Sequence, residues 1–381
     1  MRTGSFALLT TLLLLTSCNN SDHGNSDLPY NVNLERDIDN ISSMPLSYLG
    51  SKLEYIPLET DSTCIIKSIS NVFVSDSFLF VSDYYRLLLF NKSGKYIRQI
   101  GSNGRGPGEY SRVLDFVVDE KSREVYVLSS RQVLVFDFNG QFNRDFKLGF
   151  PSNQFVLNES NELVLHPFNL AQATDEPVYS WYILNKNGKD RAKIPNTLKR
   201  VNGGLIIPNS PLYMYNGTLH FMEFGIDTLY SYKKHVKKTH AIFHYDNLKI
   251  SPDPRIDEIN KIDGKIYVSN ILETKKSLFV EIRSVLPYST KSNCVFDKST
   301  SKFTILKNNG FTNDIDGGLT FWPEIILDDN FMIDFVDAFD LIKLYKDKKP
   351  VENKTQSSQL EDVMKNLTET SNPVIIILYP K

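Results

Sequence analysis

The segment Gly101-Ser102-Asn103-Gly104-Arg105-Gly106-Pro107-Gly108-Glu109-Tyr110 is the most distinctive stretch of the chain and the first place to look for chemistry. A phosphate-cradling loop would need Gly-Lys-Ser/Thr opening a helix, and a dinucleotide fingerprint also needs a following helix. Here Pro107 and the strand-like run Val113–Val118 follow instead. Two readings remain. Either the glycines impose a tight connection in which Arg105 and Glu109 satisfy backbone groups or each other, or Arg105, Glu109 and Tyr110 face a ligand. Of the 6 histidines, His235, His240 and His244 lie among Lys233, Lys234, Lys237 and Lys238. That spacing on a strand and turn puts no dependable pair on one face, and the ammonium groups would oppose a metal. A solvated basic hairpin is expected there. Asp328-Asp329 and Asp314/Asp316 read as turn residues; calcium is the one cation they could take, and otherwise no cofactor or metal is expected.

Aromatic residues make up 12% of the chain, with 24 Phe and 19 Tyr. Tyr84-Tyr85, Tyr110, Trp181-Tyr182 and Phe321-Trp322-Pro323-Glu324 fall at strand ends or in loops. Most such rings pack internally, but exposed ones can stack on a sugar or peptide face. Trp322 is the preferred candidate, because Gly317-Gly318 before it suggests a loop that something approaches closely. The candidate ligand-binding set is therefore Tyr84, Tyr85, Arg105, Glu109, Tyr110 and Trp322, with no catalytic constellation. Asp61-Ser62-Thr63 and Asp227-Thr228-Leu229 match a short bacterial O-glycosylation pattern.

Those residues must be positioned by something, and the chain divides readily. Arg2, the apolar stretch Phe6–Leu15 and then Leu15-Thr16-Ser17-Cys18 have the form of a signal peptide over 1–17. Its apolar run is too short to span a bilayer, which takes about 20 residues. Leu-Thr-Ser-Cys resembles a bacterial lipobox, which would make Cys18 the lipidated N-terminus. Asn19–Asp27 is a polar tether, and 18–49 as a whole reads as tether and N-terminal extension. Cys64 and Cys294 sit in apolar strand-like runs and read as buried thiols, with a long-range disulfide as the alternative. Lys and Arg total 43 against 45 Asp and Glu, a formal charge of −2, which gives no electrostatic reason to expect nucleic acid.

From about residue 50 a unit recurs. Leu89-Phe90-Asn91-Lys92-Ser93-Gly94, Val135-Phe136-Asp137-Phe138-Asn139-Gly140 and Ile183-Leu184-Asn185-Lys186-Asn187-Gly188 are each a strand entering a hairpin turn. Each follows an alternating strand: Leu79–Asp83, Val125–Ser129 and Leu163–His166. Fainter copies begin at Leu219, Leu278 and Phe331, giving about six units, although the degenerate later ones leave five or seven open. A four-stranded sheet of this size cannot cover both of its apolar faces, and radial stacking in a closed ring solves that problem. The expected fold is all-β, a six-bladed β-propeller over 50–381 with mostly four-stranded antiparallel blades. Closure should pair Lys52–Leu58 or Asn31–Leu34 with Val374–Tyr379. Leu360, Val363, Met364 and Leu367 mark one face of a short C-terminal helix.

With Leu53-Glu54-Tyr55-Ile56-Pro57-Leu58-Glu59-Thr60, the Gly-Pro-Gly-Glu-Tyr stretch and Asn372-Pro373-Val374-Ile375, the chain resembles the six-bladed propeller lipoproteins of gut anaerobes, relatives of NHL-repeat propellers. It departs at Cys64-Ile65-Ile66, where the family has a Leu-Ile-Gly type run. The resemblance implies a cell-envelope protein anchored by lipid to the outer membrane, on its periplasmic or surface side. The function expected is binding or scaffolding of a glycan, peptide or partner protein. The competing expectation is a metal-dependent hydrolase or lyase with its site in the central channel.

Overall fold

The computed structural model describes residues 29–167, 179–195, 210–234, 236–250, 264–284, 290–327, 331–347 and 358–381. Five blades are consecutive four-stranded antiparallel sheets. Their innermost strands are Asn71–Val74 (blade 1), Asp115–Asp119 (blade 2), Ser152–Leu157 (blade 3), Leu212–Tyr215 (blade 4) and Ile266–Glu273 (blade 5). Blade 6 takes Ile325–Leu327, Phe331–Val336 and Val374–Pro380 from the C-terminal part and its outer strand, Gly50–Pro57, from the N-terminal part. Val374 faces Pro57, Ile376 faces Tyr55 and Leu378 faces Leu53, so the ring closes through the first of the two partners expected.

The other candidate partner goes elsewhere. Tyr30–Asn33 adds in parallel to the outer strand of blade 4, and Ile41–Ser42 does the same to blade 5. The segment read as an extension thus covers two sheet edges. Among the described residues nothing pairs with the outer strands of blades 1–3. Those strands carry Arg98, Arg144, Asp145, Lys147, Arg191 and Lys193, and charge along an open edge opposes pairing with another chain.

The buried apolar residues form six clusters, one at each blade interface. Alternation along one strand explains this. In blade 2, Val125 and Val127 pack toward blade 1, while Tyr126 and Leu128 pack toward blade 3. A strand buried on both faces reads as a continuous apolar run, which is how the second strands stood out in sequence. The repeat's glycine has its own explanation. Gly94, Gly140 and Gly188 adopt φ near +80° (80°, 77° and 79°), and a Cβ on them would lie 2.2 Å from the Pro57 carbonyl, 2.8 Å from that of Gln99 and 2.3 Å from the Phe146 ring. Each hairpin turn therefore rests on the outer strand of the preceding blade, with no room for a side chain.

Asn372 clasps the closure. Its amide donates to the carbonyls of Glu59 (2.6 Å) and Cys64 (2.9 Å), and its oxygen accepts from the Ile66 N–H (2.7 Å). The expected helix is Ser358–Asn366, with Leu360 buried and Val363, Met364 and Leu367 packed on the interface of blades 5 and 6. A second helix, Ala338–Asp347, precedes it in the same connection and was not expected. Cys64 and Cys294 are buried free thiols in different interfaces. Among the described residues no helix is long and apolar enough to cross a membrane.

Strand alternation gives the ring two unlike faces. At one, the first and second strands and the third and fourth strands are joined by short hairpins, such as Asn216–Gly217 and Lys92–Lys95. At the other lie the second-to-third connections and the blade-to-blade crossings, which run as long as 337–373 in blade 6. Long loops on a rigid scaffold are where binding residues gather.

Candidate functional site

The innermost strands of all six blades line a central channel with a cavity of about 740 Å³. Among the described residues three carboxylates are on its wall, Asp115, Glu273 and Glu281, and protein donors engage all three. Asp115 opens the inner strand of blade 2. It accepts from the Asn71 amide of blade 1 (2.9 Å), the Phe155 N–H of blade 3 (2.9 Å) and its own neighbour Phe116 N–H (2.9 Å). It thus ties three blades together. Burial pushes its carboxyl up to about 7, against the pull of those three N–H groups. Glu281 meets Lys291 (2.6 Å), Arg283 (2.8 Å) and the Ser269 hydroxyl. Desolvation alone would raise Glu281, but these partners outweigh it and hold it below the usual range.

Glu273 ends the inner strand of blade 5 and is the centre of a buried joint with blade 4. It accepts from the Tyr213 hydroxyl (2.7 Å), the Lys298 ammonium (2.6 Å) and His240 Nε2 (2.9 Å). Burial opposes its charge, yet the His240 hydrogen bond and the charges of His240 and Lys298 hold it at about 2. His220 stacks on Tyr213 at 5.0 Å and 11°, and burial lowers it to about 4, so it is neutral at pH 7. His240 reaches the joint because of a β-bulge. Leu229 pairs with Ala241 and Tyr230 with Thr239, which leaves His240 as the extra residue, turned inward.

This overturns the expectation of a solvated hairpin for His240, although Lys233, Lys234, Lys237 and Lys238 around it are exposed. Nothing in the sequence could have joined His220, His240, Glu273 and Lys298, which come from four strands or turns of two blades. Their donor set raises the question of a metal, because His220, His240 and Glu273 bring ligand atoms within 4.8 Å of one another. The Lys298 ammonium already occupies the carboxylate, however, and its charge would oppose a second cation. His244 bonds to Asn31 at 3.0 Å, and His235 lies outside the described residues.

The residues singled out in sequence separate into two groups. Tyr110 is 1% exposed, and its hydroxyl donates to the Ile100 carbonyl at 2.7 Å. Glu109 accepts from the Gly106 N–H at 2.7 Å, and a Cβ on Gly104 would strike its carboxylate. Both hold the blade 1 to blade 2 crossing together, while Arg105 on that crossing is exposed. Trp322, expected in an exposed loop, is 7% exposed; its ring packs 5.9 Å from Phe279 and its backbone N–H donates to the Asp334 carboxylate at 3.0 Å. The close approach announced by Gly317-Gly318 is to the protein's own Tyr55, whose hydroxyl would lie 2.6 Å from a Cβ on Gly318. Trp181 is likewise fully buried. Asp314 accepts from the Ser47 N–H (2.8 Å) and hydroxyl (2.6 Å), and Asp316 from the Asn313 amide (2.8 Å), so both staple turns. Asp328, Asp329 and Cys18 lie outside the described residues.

Tyr84 and Tyr85 differ from the rest. They occupy the second-to-third strand turn of blade 1, on the long-loop face. Tyr84 has φ 72°, a region tyrosine rarely enters, and it is locked there: its N–H donates to Ser70 Oγ (3.1 Å), and its carbonyl accepts from Val113 (2.8 Å). Arg112 donates to its hydroxyl at 2.8 Å, with the guanidinium 5.3 Å from the ring centre. Tyr85 is 57% exposed and meets Tyr84 edge-on at 5.3 Å, and its carbonyl accepts from Asn103. Ser70 and Leu114, next to these contacts, line the channel, so the pair stands beside its mouth.

Among solved structures, a candidate exported protein of Bacteroides fragilis has 17% identity and a TM-score of 0.70, covering 92% of this chain and 99% of its own. The N-terminal domain of Nup159 follows at 8% and 0.43, covering 78% and 76%. The extracellular domain of a hybrid two-component system of B. thetaiotaomicron stands at 12% and 0.39, covering 67% and 29%. The first shares the fold; scores at the level of the other two carry no argument. No curated protein matched the sequence. A family profile described as a domain of unknown function, DUF4934, matches residues 29–379, nearly the whole folded part, and the chain belongs to that family.

Proposed function

We propose that this is an extracytoplasmic binding protein, tethered to the outer membrane through a lipid on Cys18, that captures a glycan at the channel mouth on its long-loop face. The observation that carries this reading is Tyr84, held in left-handed backbone beside an exposed Tyr85. A side chain there costs about 1–2 kcal/mol, and strain of this kind concentrates at ligand clamps. Two adjoining rings, with Arg112 bonded to the Tyr84 hydroxyl at their rim, present a stacking surface with hydrogen-bond donors and little entropy to lose. A sugar face fits that chemistry, since ring stacking and side-chain donors are what a sugar's apolar face and hydroxyls take up. The competing enzymatic reading lacks support from the channel wall, where Asp115, Glu273 and Glu281 are each engaged by protein donors.

Glycan-array binding of the purified protein tests the proposal. Tyr85→Ala should abolish the signal and leave the melting temperature unchanged. Tyr84→Gly should relieve backbone strain, keep stability within about 1 kcal/mol and also lose binding. Unchanged glycan binding in both variants would defeat this reading.

A further inference from the structure

The wall of the central channel has two unlike sides. Blades 1, 2 and 6 line it with apolar residues such as Phe73, Val117 and Ile326. Their polar residues on the wall are already bonded: Ser70 to Ser82 at 2.7 Å, and Asn71 to Asp115 at 2.9 Å. Blades 3 and 5 line it with Gln154, Tyr267, Asn270 and Arg283. Gln154 Oε1 is buried with no partner among the described residues. Among those residues the Tyr267 hydroxyl and the Asn270 amide also make no hydrogen bond. Polar groups left unmet on a cavity wall are served by water or by a ligand.

Arg283 is the strongest donor of the set. It stands two residues beyond Glu281 on the second strand of blade 5, so the two share a face. Its Nε donates to Glu281 at 2.8 Å, while Nη1 and Nη2 bond to nothing among the described residues, and the side chain is 35% exposed. A guanidinium anchored in this way keeps its outer fork for another acceptor and loses little freedom in binding it. Tyr267 lies directly opposite on the inner strand, of which it is the second residue, at the long-loop end. Both therefore sit at the mouth beside which Tyr84 and Tyr85 stand. The charge there is balanced. Glu281 also meets Lys291 at 2.6 Å, and Lys291 reaches Glu324 at 3.3 Å, so two cations face two carboxylates.

From this arrangement we infer that the channel mouth holds the terminal sugar of the glycan, an uncharged sugar, with Arg283 and Tyr267 as its main hydrogen-bond partners. A sugar ring carries hydroxyls along its edge and C–H groups on its face. The side formed by blades 3 and 5 takes the hydroxyls, and the apolar side takes the face. A cavity of about 740 Å³ has room for such a group. A terminal carboxylate would find the guanidinium charge already balanced and the Asp115 carboxyl on the same wall. The inference rests on the proposed glycan capture and deepens it: the tyrosine pair stacks on the chain outside, and the channel selects its end.

The full chain is titrated with neutral oligosaccharides and with the same oligosaccharides ending in a uronic or sialic acid. The neutral forms should bind and the acid-ended forms bind more weakly. Arg283→Gln should weaken neutral binding about tenfold or more, as expected for a hydrogen bond from a charged donor. Tyr267→Phe should weaken it by about threefold to tenfold, with an unchanged melting temperature because the hydroxyl has no partner in the protein. That second variant keeps the test decisive if Arg283→Gln disturbs Glu281. Wild-type affinity in Tyr267→Phe, or a preference for the acid-ended forms, overturns the inference. The two readings fail differently. Loss of binding in Tyr85→Ala with none in Arg283→Gln or Tyr267→Phe removes the channel subsite alone. Loss in the two channel variants with none in Tyr85→Ala removes the tyrosine clamp alone, and no binding of any glycan removes both.

Discussion

Two carboxylates on opposite sides of the hub are both withdrawn from bulk water, and they are held in opposite ways. Glu273 meets an ammonium, a hydroxyl and an imidazole at the joint of blades 4 and 5, and it stays ionised, at about 2. Asp115 meets only neutral N–H donors where blades 1, 2 and 3 converge, and it is pushed up to about 7. Each is a cross-link between blades. What differs is the charge of the partner: a cation offsets desolvation, whereas dipoles of similar number do not offset it fully. Glu273 therefore keeps its charge well below neutrality, whereas Asp115 titrates close to it.

Removing the ionised carboxylate should have the largest effect. Glu273→Ala leaves Lys298, whose side chain is 7% exposed, without its counter-charge, a change that typically costs about 3–5 kcal/mol. Denaturant unfolding should register it as a lower midpoint. A loss under about 1 kcal/mol would mean that Lys298 finds water, and the joint would then be an ordinary surface pair. Asp115→Ala should cost less, about 1–2 kcal/mol, because the N–H groups it strands face a channel that water can enter.

The same variant separates the two joints by pH. A carboxyl raised from 3.8 to about 7 binds a proton more tightly in the folded state, so stability rises as pH falls from about 7 toward 4. Asp334, also raised to about 7 by burial, contributes in the same direction. Asp115→Ala should therefore reduce this rise without abolishing it. Glu273, depressed to about 2 from 4.5, contributes stability that is present above 4.5 and lost as pH falls toward 2. Melting temperatures measured from pH 7 to pH 3 should show the first effect in the upper half of that range and the second in the lower. An unchanged slope in Asp115→Ala would show that Asp115 is ionised throughout.

These joints also mark how far the sequence could be read. The second strands, from Leu79 to Phe331, were legible because each alternates apolar residues toward two neighbouring blades. The turn glycines were legible because a hairpin turn with positive φ, pressed against the preceding blade, leaves no room for a side chain. Asn372 stood out as part of a motif, and its role as the closure clasp follows from its bonds to the backbone of Glu59, Cys64 and Ile66. Trp322 was misjudged because paired glycines signal close approach without saying what approaches. Tyr84-Tyr85 was visible as a ring pair, but Arg112, which locks it, was not, since 28 residues separate Arg112 from Tyr84. The Glu273 joint was invisible. Its members are far apart in sequence, and a single bulge, which leaves no compositional trace, decides where His240 points.

The smallest expected effect discriminates most finely. His220 belongs to the Glu273 joint in space but carries no charge at pH 7, because burial lowers it to about 4; its Nδ1 faces the Thr218 carbonyl at 3.1 Å. His220→Phe keeps the ring stacked on Tyr213 and removes that one contact, so at pH 7 it should cost about 1 kcal/mol or less. Its pH signature has a definite sign. Unfolded His220 takes up a proton near 6.5 while folded His220 resists down to about 4, so wild-type protein loses stability from this group as pH falls through that window. The variant escapes this loss and should gain on wild type between about pH 6.5 and 4, which steepens the rise contributed by Asp115 and Asp334. If His220→Phe instead cost as much as Glu273→Ala at pH 7, His220 would have to be charged or ligated there. The Glu273 joint would then owe its stability to something other than Lys298.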